Sequence, residues 1–401
     1  MKKNFMLQIF AAFILAIIAG IIFGERATVV QPLGDLFLRL IKFIIVPLIL
    51  STIVVGVTSA GSIKKLGNLG GKAIGYFLVT SFIAIAIGLF AGFVFQPGAG
   101  VELTVPTSEV EALETGGVIA TLLNIIPTNP IEALTTGAVL QIIFFAIFLG
   151  IGISLVGEKA QPVQQFFEGL SEVMYKITGI IMKLVPLGIF GLLAPIVGTY
   201  GPSVLMPLIK VIIAMVVAVI VHVALIYSAA VKTLGKMNPY HFFKGIFPAA
   251  SVAFATCSSS GTLPVTMKNT QENLGVSKET SSFVLPLGAT INMDGTAIYQ
   301  GIAVMFIAQY FGVELTMAQI LIVALMGTLA SIGAAGVPGA GLIMLTMVLT
   351  AVNLPLEGIA LIAGIDRILD MFRTSVNIMG DASACVVVEG GKAKAAVKKG
   401  A

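Results

Sequence analysis

The chain has 401 residues, of which 57% are hydrophobic and 10% charged, against roughly 25% charged in an ordinary soluble domain. A soluble core cannot absorb so many apolar residues without large exposed patches, so soluble enzyme folds are excluded. The 23 Lys+Arg and 19 Asp+Glu leave a net charge of +4, spread between apolar runs rather than clustered with aromatics, which gives no nucleic-acid footprint.

Apolar spans are predicted over 4–24, 33–60, 73–97, 117–156, 163–198 and 204–231. The first follows Met1-Lys2-Lys3 as a signal peptide would. No small-residue cleavage site and soluble domain come after it, and apolar sequence resumes by Leu36, so it reads as the first membrane helix. Lys2, Lys3, Lys64, Lys65, Lys72, Lys159, Lys232, Lys236 and Lys244 fall in alternate connections. The connection 98–114 holds Glu102, Glu109, Glu111 and Glu114 with no Lys or Arg. The positive-inside rule then puts the N-terminus in the cytoplasm. Arg39 and Lys42, inside the second span, read as snorkelling to the interface.

The stretch 117–156 is too long for one straight crossing and carries Pro127 and Pro130, so a broken or multi-part element is expected. The arm 243–256 is too short to span, about 14 residues or ~21 Å. It ends in Cys257-Ser258-Ser259-Ser260-Gly261-Thr262 and leads to a second basic loop with Lys268 and Lys278. One crossing would put two basic loops on opposite faces, so a re-entrant hairpin over 243–279 is expected, entering from the cytoplasm. The pattern recurs over 317–355, where 333–341 reads GAAGVPGAG. That hairpin is expected to enter from outside. Each hairpin is followed by a spanning segment, 280–311 and 357–388, and such inverted pairs are where secondary transporters place midplane sites.

The span 280–311 carries Asn292-Met293-Asp294-Gly295-Thr296 near its centre. Unwound backbone at that depth is tolerated where it lines a cavity, and it frees carbonyl oxygens for a hard cation. On 357–388, at about 100° per residue, Asp366, Arg367, Asp370, Arg373, Thr374, Asn377 and Asp381 share one stripe about 120° wide, with Leu369, Phe372 and Ile378 outside it. Each charge facing lipid costs roughly 2.5–3.5 kcal/mol, on the order of 10 kcal/mol for four, so they must face a cavity or one another. Simple pairing of Asp370 with Arg373 is the bland account. The functional one gives the Arg373 fork a carboxylate and Asp370 an ammonium, which suits an amino acid with an extra acid.

The motifs SSSGTLPVTMKN, NMDGTAIYQG, GVPGAG and DRILDMFRTSVNIMGD, with RLIKFIIVPLIL and YFLVTS earlier, closely resemble the glutamate transporter family of dicarboxylate/amino acid:cation symporters. The resemblance covers nearly the whole chain. It implies an all-α polytopic membrane protein of eight transmembrane segments and two re-entrant hairpins, assembled as a homotrimer in the cell membrane with both termini cytoplasmic. It further implies a scaffold (1–71 and 99–199), a moving transport domain (72–98 and 200–391) and a tail over 392–401.

By resemblance, Asp370 holds the substrate amino group and Arg373 its side-chain carboxylate. Asn377 with Ser258 and Ser259 meets the main carboxylate, Thr296 and Gly341 the distal one, and the Val337 carbonyl the ammonium, with Thr374 among them. Gly288, Asn292, Asn377 and Asp381 resemble one sodium site. Phe77, Thr80, Ser81, Asn292 and Asp294 resemble a second, and Thr290, Ser331 and Ile332 a third. Some relatives carry an Arg where this chain has Cys257 or Met371; this chain has Arg367 instead. The family's Thr in the second hairpin is Ala334 here.

The expected function is sodium-coupled symport of aspartate or glutamate, with proton coupling, or carriage of a C4-dicarboxylate or cystine, as alternatives. A passive anion channel would need no ammonium partner such as Asp370. An intramembrane serine hydrolase would need a base for Ser258, Ser259 or Ser260, and His222 and His241 are the only histidines. Cys257 and Cys385 lie far apart and support neither a disulfide nor a metal centre.

Overall fold

A computed structural model describes residues 3–61, 68–99, 123, 125–330 and 340–390, and every regular element among them is helical. The Lys64-Lys65 loop, residues 100–114 of the acidic connection, the tip with Val337 and Ala334, and the tail 392–401 lie outside the described residues.

The chain opens with α1 (Lys3–Phe23), a 3-10 turn (Gly24–Val30), α2 (Gln31–Gly61) and α3 (Asn68–Phe95). Arg39 and Lys42 are exposed on α2, as snorkelling side chains must be. The long stretch 117–156 is interrupted as expected. Asn129 caps α4 (Pro130–Thr136) by accepting from the Ile131 N–H at 3.0 Å, and Gly137 stops it in the left-handed conformation before α5 (Val139–Val156). The apolar run 163–198, read as one span, divides into α6 (Gln161–Ile181) and α7 (Val185–Tyr200) across a 3-10 turn at Met182–Leu184, immediately before Pro186. Among the described residues, four continuous helical stretches, Leu7–Thr58, Leu69–Phe95, Gln141–Ile181 and Met206–Thr233, are long and apolar enough to cross a membrane.

The span 204–231 is α8 (Met206–Val221), one π turn (His222–Tyr227) and α9 (Ser228–Thr233). After it, Asn238 accepts from the Tyr240 N–H at 2.9 Å and starts α10 (Pro239–Thr256). The arm is thus 18 residues, about 27 Å, longer than the sequence suggested but still short of the ~30 Å hydrocarbon layer. Cys257 takes a left-handed φ of 53° and reverses the chain, and Ser258 caps α11 (Ser259–Glu272) by accepting from Gly261 N–H at 3.0 Å. The two arms pack together. The next span is broken where expected: α12 (Lys278–Ile291) ends at an extended Asn292 and α13 (Asp294–Tyr310) restarts after Met293. Then follow α14 (Met317–Ala330), α15 (Ala340–Ala351) and the 32-residue α16 (Gly358–Glu389).

α2 lies against α5, α6 and α7, with α1 against α7, while α16 is touched by α8, α10, α11, α12 and α13 and also by α3 and α7, and one apolar core runs from α1 to α16. A close crossing joins α3 to α13. A Cβ on Gly301 would meet the Leu89 nitrogen at 2.6 Å and the Gly88 carbonyl carbon at 2.8 Å, so only glycine lets these backbones touch. Gly301→Leu should therefore lower the apparent melting temperature in detergent by at least about 5 °C; an unchanged melting temperature would refute this crossing.

Candidate functional site

The stripe read on α16 faces inward. Asp366, Asp370, Arg373, Thr374, Asn377 and Asp381 are each 7% exposed or less, while Arg367 is half-buried. Leu369 and Ile378, outside the stripe, are buried too, so α16 is enclosed on more sides than its polar face required.

Arg373 is the largest fully buried side chain. Its Nη1 lies 2.9 Å from Asp366 Oδ1 and its Nη2 3.1 Å from Asp370 Oδ1. Its guanidinium sits 4.2 Å above the Tyr299 ring, a cation–π contact from α13. Gly341, at the start of α15, has space for no Cβ because the Arg373 guanidinium fills it. The bland pairing of Asp370 with Arg373 is thus present, within a larger cluster. Thr374 Oγ1 donates to Asp370 Oδ1 at 3.2 Å. One turn on, Asn377 Oδ1 accepts from the Gly295 N–H at 2.8 Å, and its Nδ2 donates to Thr296 Oγ1 at 3.4 Å. The broken helix is therefore stitched to α16 at the residues the sequence singled out.

The tip of α10–α11 approaches the same turn. Ser375 Oγ donates to the Ala250 carbonyl at 3.1 Å and Phe254 meets Phe372 edge-on at 5.3 Å. Moving up α10 thus moves down α16, which carries Cys257 and Ser258 toward the turn of Asp370. Ser259 is buried and Ser258 is held as a helix cap.

Two further carboxylates lie deeper. Asp381 Oδ1 accepts from Asn292 Nδ2 at 2.9 Å, the same amide nitrogen donates to the Asn377 carbonyl at 3.1 Å, and Gly288 packs on the Asp381 carboxylate. Gly288, Asn292, Asn377 and Asp381 are thus brought together. Asp294 Oδ1 accepts from Ser81 Oγ at 2.7 Å, and Thr80, the residue before Ser81 in the chain, donates to the Phe77 carbonyl at 3.2 Å. Of the third set, Thr290 is exposed and donates to the Leu287 carbonyl at 2.9 Å; Ser331 and Ile332 lie outside the described residues.

The charge count is lopsided. Among the described residues, Asp294, Asp366, Asp370 and Asp381 are all buried against the single buried guanidinium of Arg373, and no Lys or Arg there pairs with Asp294 or Asp381. Asn292 Oδ1 is buried with no hydrogen-bond partner. No group of three or more His, Cys, Asp or Glu suited to a metal ion occurs among the described residues. Single carboxylates surrounded by hydroxyl and carbonyl oxygens suit a hard monovalent cation, not zinc or another soft metal.

Sequence reasoning missed three contributors. Tyr227 sat in an apolar run with no pattern to mark it, Tyr299 lay inside the NMDGTAIYQG motif with no role assigned to it, and His222 was a lone imidazole in an apolar span without a visible partner. His222 Nε2 lies 3.3 Å from Asp294 Oδ2, so it faces a carboxylate and not a serine.

Residues 5–390 match the family model described as "Sodium:dicarboxylate symporter family". The chain is 40% identical over 392 residues to the proton/sodium-glutamate symport protein of Geobacillus stearothermophilus, covering 95% of this chain and 93% of that one. It is 36% identical to the proton/glutamate-aspartate symporter of Escherichia coli (strain K12), covering 96% and 93%. It is 35% identical to the C4-dicarboxylate transport protein of Bacillus subtilis (strain 168), again covering 96% and 93%. With matches along nearly its whole length, the chain belongs to the sodium:dicarboxylate symporter family and is a membrane transporter, not an enzyme.

Proposed function

We propose that the protein is a sodium-coupled symporter of an acidic amino acid, glutamate or aspartate. The observation that carries this reading is the arrangement along α16: a fully buried guanidinium between two carboxylates, followed one and two turns on by Asn377 and by Asp381, which has no cationic partner among the described residues. Arg373 holds the side-chain carboxylate of the substrate, Asp370 its ammonium, and Asn377 with the Ser258–Ser259 tip its main carboxylate. Thr296, Thr374, Gly341 and the Val337 carbonyl complete the pocket. A dicarboxylate such as succinate has no ammonium to set against Asp370, which then has Arg373 alone as its cation among the described residues, and this favours the amino acid. The relatives' names are consistent with both substrate classes and with sodium or protons.

Sodium is favoured over the proton because a proton needs one carboxylate oxygen, whereas Asp294 is bonded to the Ser81 hydroxyl and Asp381 sits with the Asn292 amide, the Asn377 carbonyl and the Gly288 backbone. Thr290, Ser331 and Ile332 would supply a third cation. The part that moves is residues 72–98 and 200–391; residues 1–71 and 99–199 form the fixed scaffold, assembled as a homotrimer. The hairpins over 243–279 and 317–355 enter the membrane from opposite faces and act as its gates, with both termini cytoplasmic.

Uptake of labelled aspartate and glutamate into proteoliposomes, with sodium and proton gradients imposed separately, tests the reading. Accumulation only with an inward sodium gradient is expected. Asp370→Asn should weaken both amino acids at least about tenfold, the cost of losing an ion-paired partner in a buried site, while changing competition by succinate little. A wild type that prefers succinate would show that Asp370 has been given the wrong role.

A further inference from the structure

Asp294 is held by more than the residues assigned to a cation. Its Oδ2 accepts from Tyr227 Oη at 2.7 Å and lies 3.3 Å from His222 Nε2. Both rings are fully buried, and they meet edge-on with centroids 4.8 Å apart. Tyr227 Oη also reaches the Val376 carbonyl on α16 at 3.3 Å. Gly380 leaves room for that hydroxyl beside the Asn292 amide, since a Cβ there would collide with both.

The local backbone explains how two residues five apart converge on one oxygen. On a regular α-helix they would point about 140° apart. His222–Tyr227 is instead a single π turn in the middle of an otherwise α-helical span, and its wider i→i+5 winding turns residues five apart toward the same side. A carboxylate has about four acceptor sites, two on each oxygen. Tyr227 and the Nε2–H tautomer of His222 use both on Oδ2, and Ser81 uses one on Oδ1.

We propose that His222 and Tyr227 are positioning residues for the coupling cation: set side by side by the π turn, they occupy Oδ2 of Asp294 and leave Oδ1, beside Ser81, as its one cation-facing oxygen. Neither touches the cation. They fix the carboxylate's rotation, so the cation meets a preformed ligand rather than one that must turn to receive it. The inference rests on the reading of Asp294 as a sodium ligand.

The test is sodium-dependent thermal stabilisation of the purified full-length protein, titrated with sodium chloride against choline chloride, which reads cation binding without transport. L-Glutamate affinity at saturating sodium is the second readout. Tyr227→Phe and His222→Leu should each raise the half-stabilising sodium concentration about tenfold, the effect of losing a hydrogen bond to a charged group, with L-glutamate affinity held within about twofold. His222→Gln, which can still present an N–H, should restore most of the sodium response. Asp294→Asn separates the two readings. If it leaves the sodium response intact, the cation role of Asp294 fails and the positioning role with it. If it removes the response while Tyr227→Phe and His222→Leu behave as wild type, the positioning role alone is overturned. Equal loss of sodium and L-glutamate affinity in Tyr227→Phe would mark a purely structural contact and also overturn it.

Discussion

Arg373→Ala should weaken binding of acidic amino acids at least about a hundredfold, the loss of a charge-assisted bidentate clamp in a desolvated site. No other described cation is buried to this depth: the guanidinium is 1% exposed, with Asp366 at 2.9 Å, Asp370 at 3.1 Å and the Tyr299 face at 4.2 Å. Its removal deletes the partner of the substrate's second carboxylate and also leaves Asp366 and Asp370 repelling each other, which raises the cost of bringing in a third negative group. Arg373→Cys should go further in specificity, because a small neutral side chain removes the acid's partner yet leaves Asp370 and Asn377 in place for the amino and main carboxylate groups. A neutral amino acid is then expected to be bound in place of glutamate. Equilibrium binding to purified protein measures both, and an unchanged glutamate affinity in either variant would sink the assignment of Arg373.

What the sequence revealed about this site follows from the cost of polar groups in a membrane. Seven polar residues on one stripe of 358–389 are conspicuous because hydrocarbon penalises each of them, and Asn292 to Thr296 are conspicuous for the same reason, so both the enclosed face of α16 and the break between α12 and α13 were readable. Tyr299, Tyr227 and His222 were not. An aromatic ring in an apolar run costs nothing visible, and only three-dimensional packing puts Tyr299 under a guanidinium or Tyr227 on a carboxylate. The π turn was equally hidden, because nothing in His-Val-Ala-Leu-Ile-Tyr departs from an α-helical composition. The extra turn at the start of α10 is encoded by capping and not by hydropathy: Asn238-Pro239 is a capping pair that lies outside the apolar run. The break between α6 and α7 is likewise marked by Pro186 and not by any fall in hydropathy.

Asp381→Asn should flatten the sodium dependence of substrate binding. Asp381 is 2% exposed, its Oδ1 is bonded to Asn292 Nδ2 at 2.9 Å, and Gly288 packs directly on it. A lone carboxylate in such surroundings tends to be neutralised by a cation or by a proton. The neighbouring groups favour a cation: Asn292 Oδ1 is buried without a hydrogen-bond partner, and Nδ2 of the same amide bridges the Asp381 carboxylate and the Asn377 carbonyl at 2.9 and 3.1 Å, so oxygen atoms that a proton would leave unused lie around the carboxylate. Asn377 also accepts from the Gly295 N–H at 2.8 Å, which ties this cluster to the turn that carries Arg373. A cation bound at Asp381 and a substrate bound at Arg373 therefore order the same backbone, and by linkage each must strengthen the other by the same factor. Substrate affinity in the wild type should rise steeply with sodium and little with lithium, potassium or falling pH. In Asp381→Asn that slope should fall by about one sodium ion, while an Asp294→Asn change should remove a separate one. Uptake driven by a pH gradient in sodium-free vesicles, at a rate equal to that with sodium, would instead assign Asp381 and Asp294 to protons.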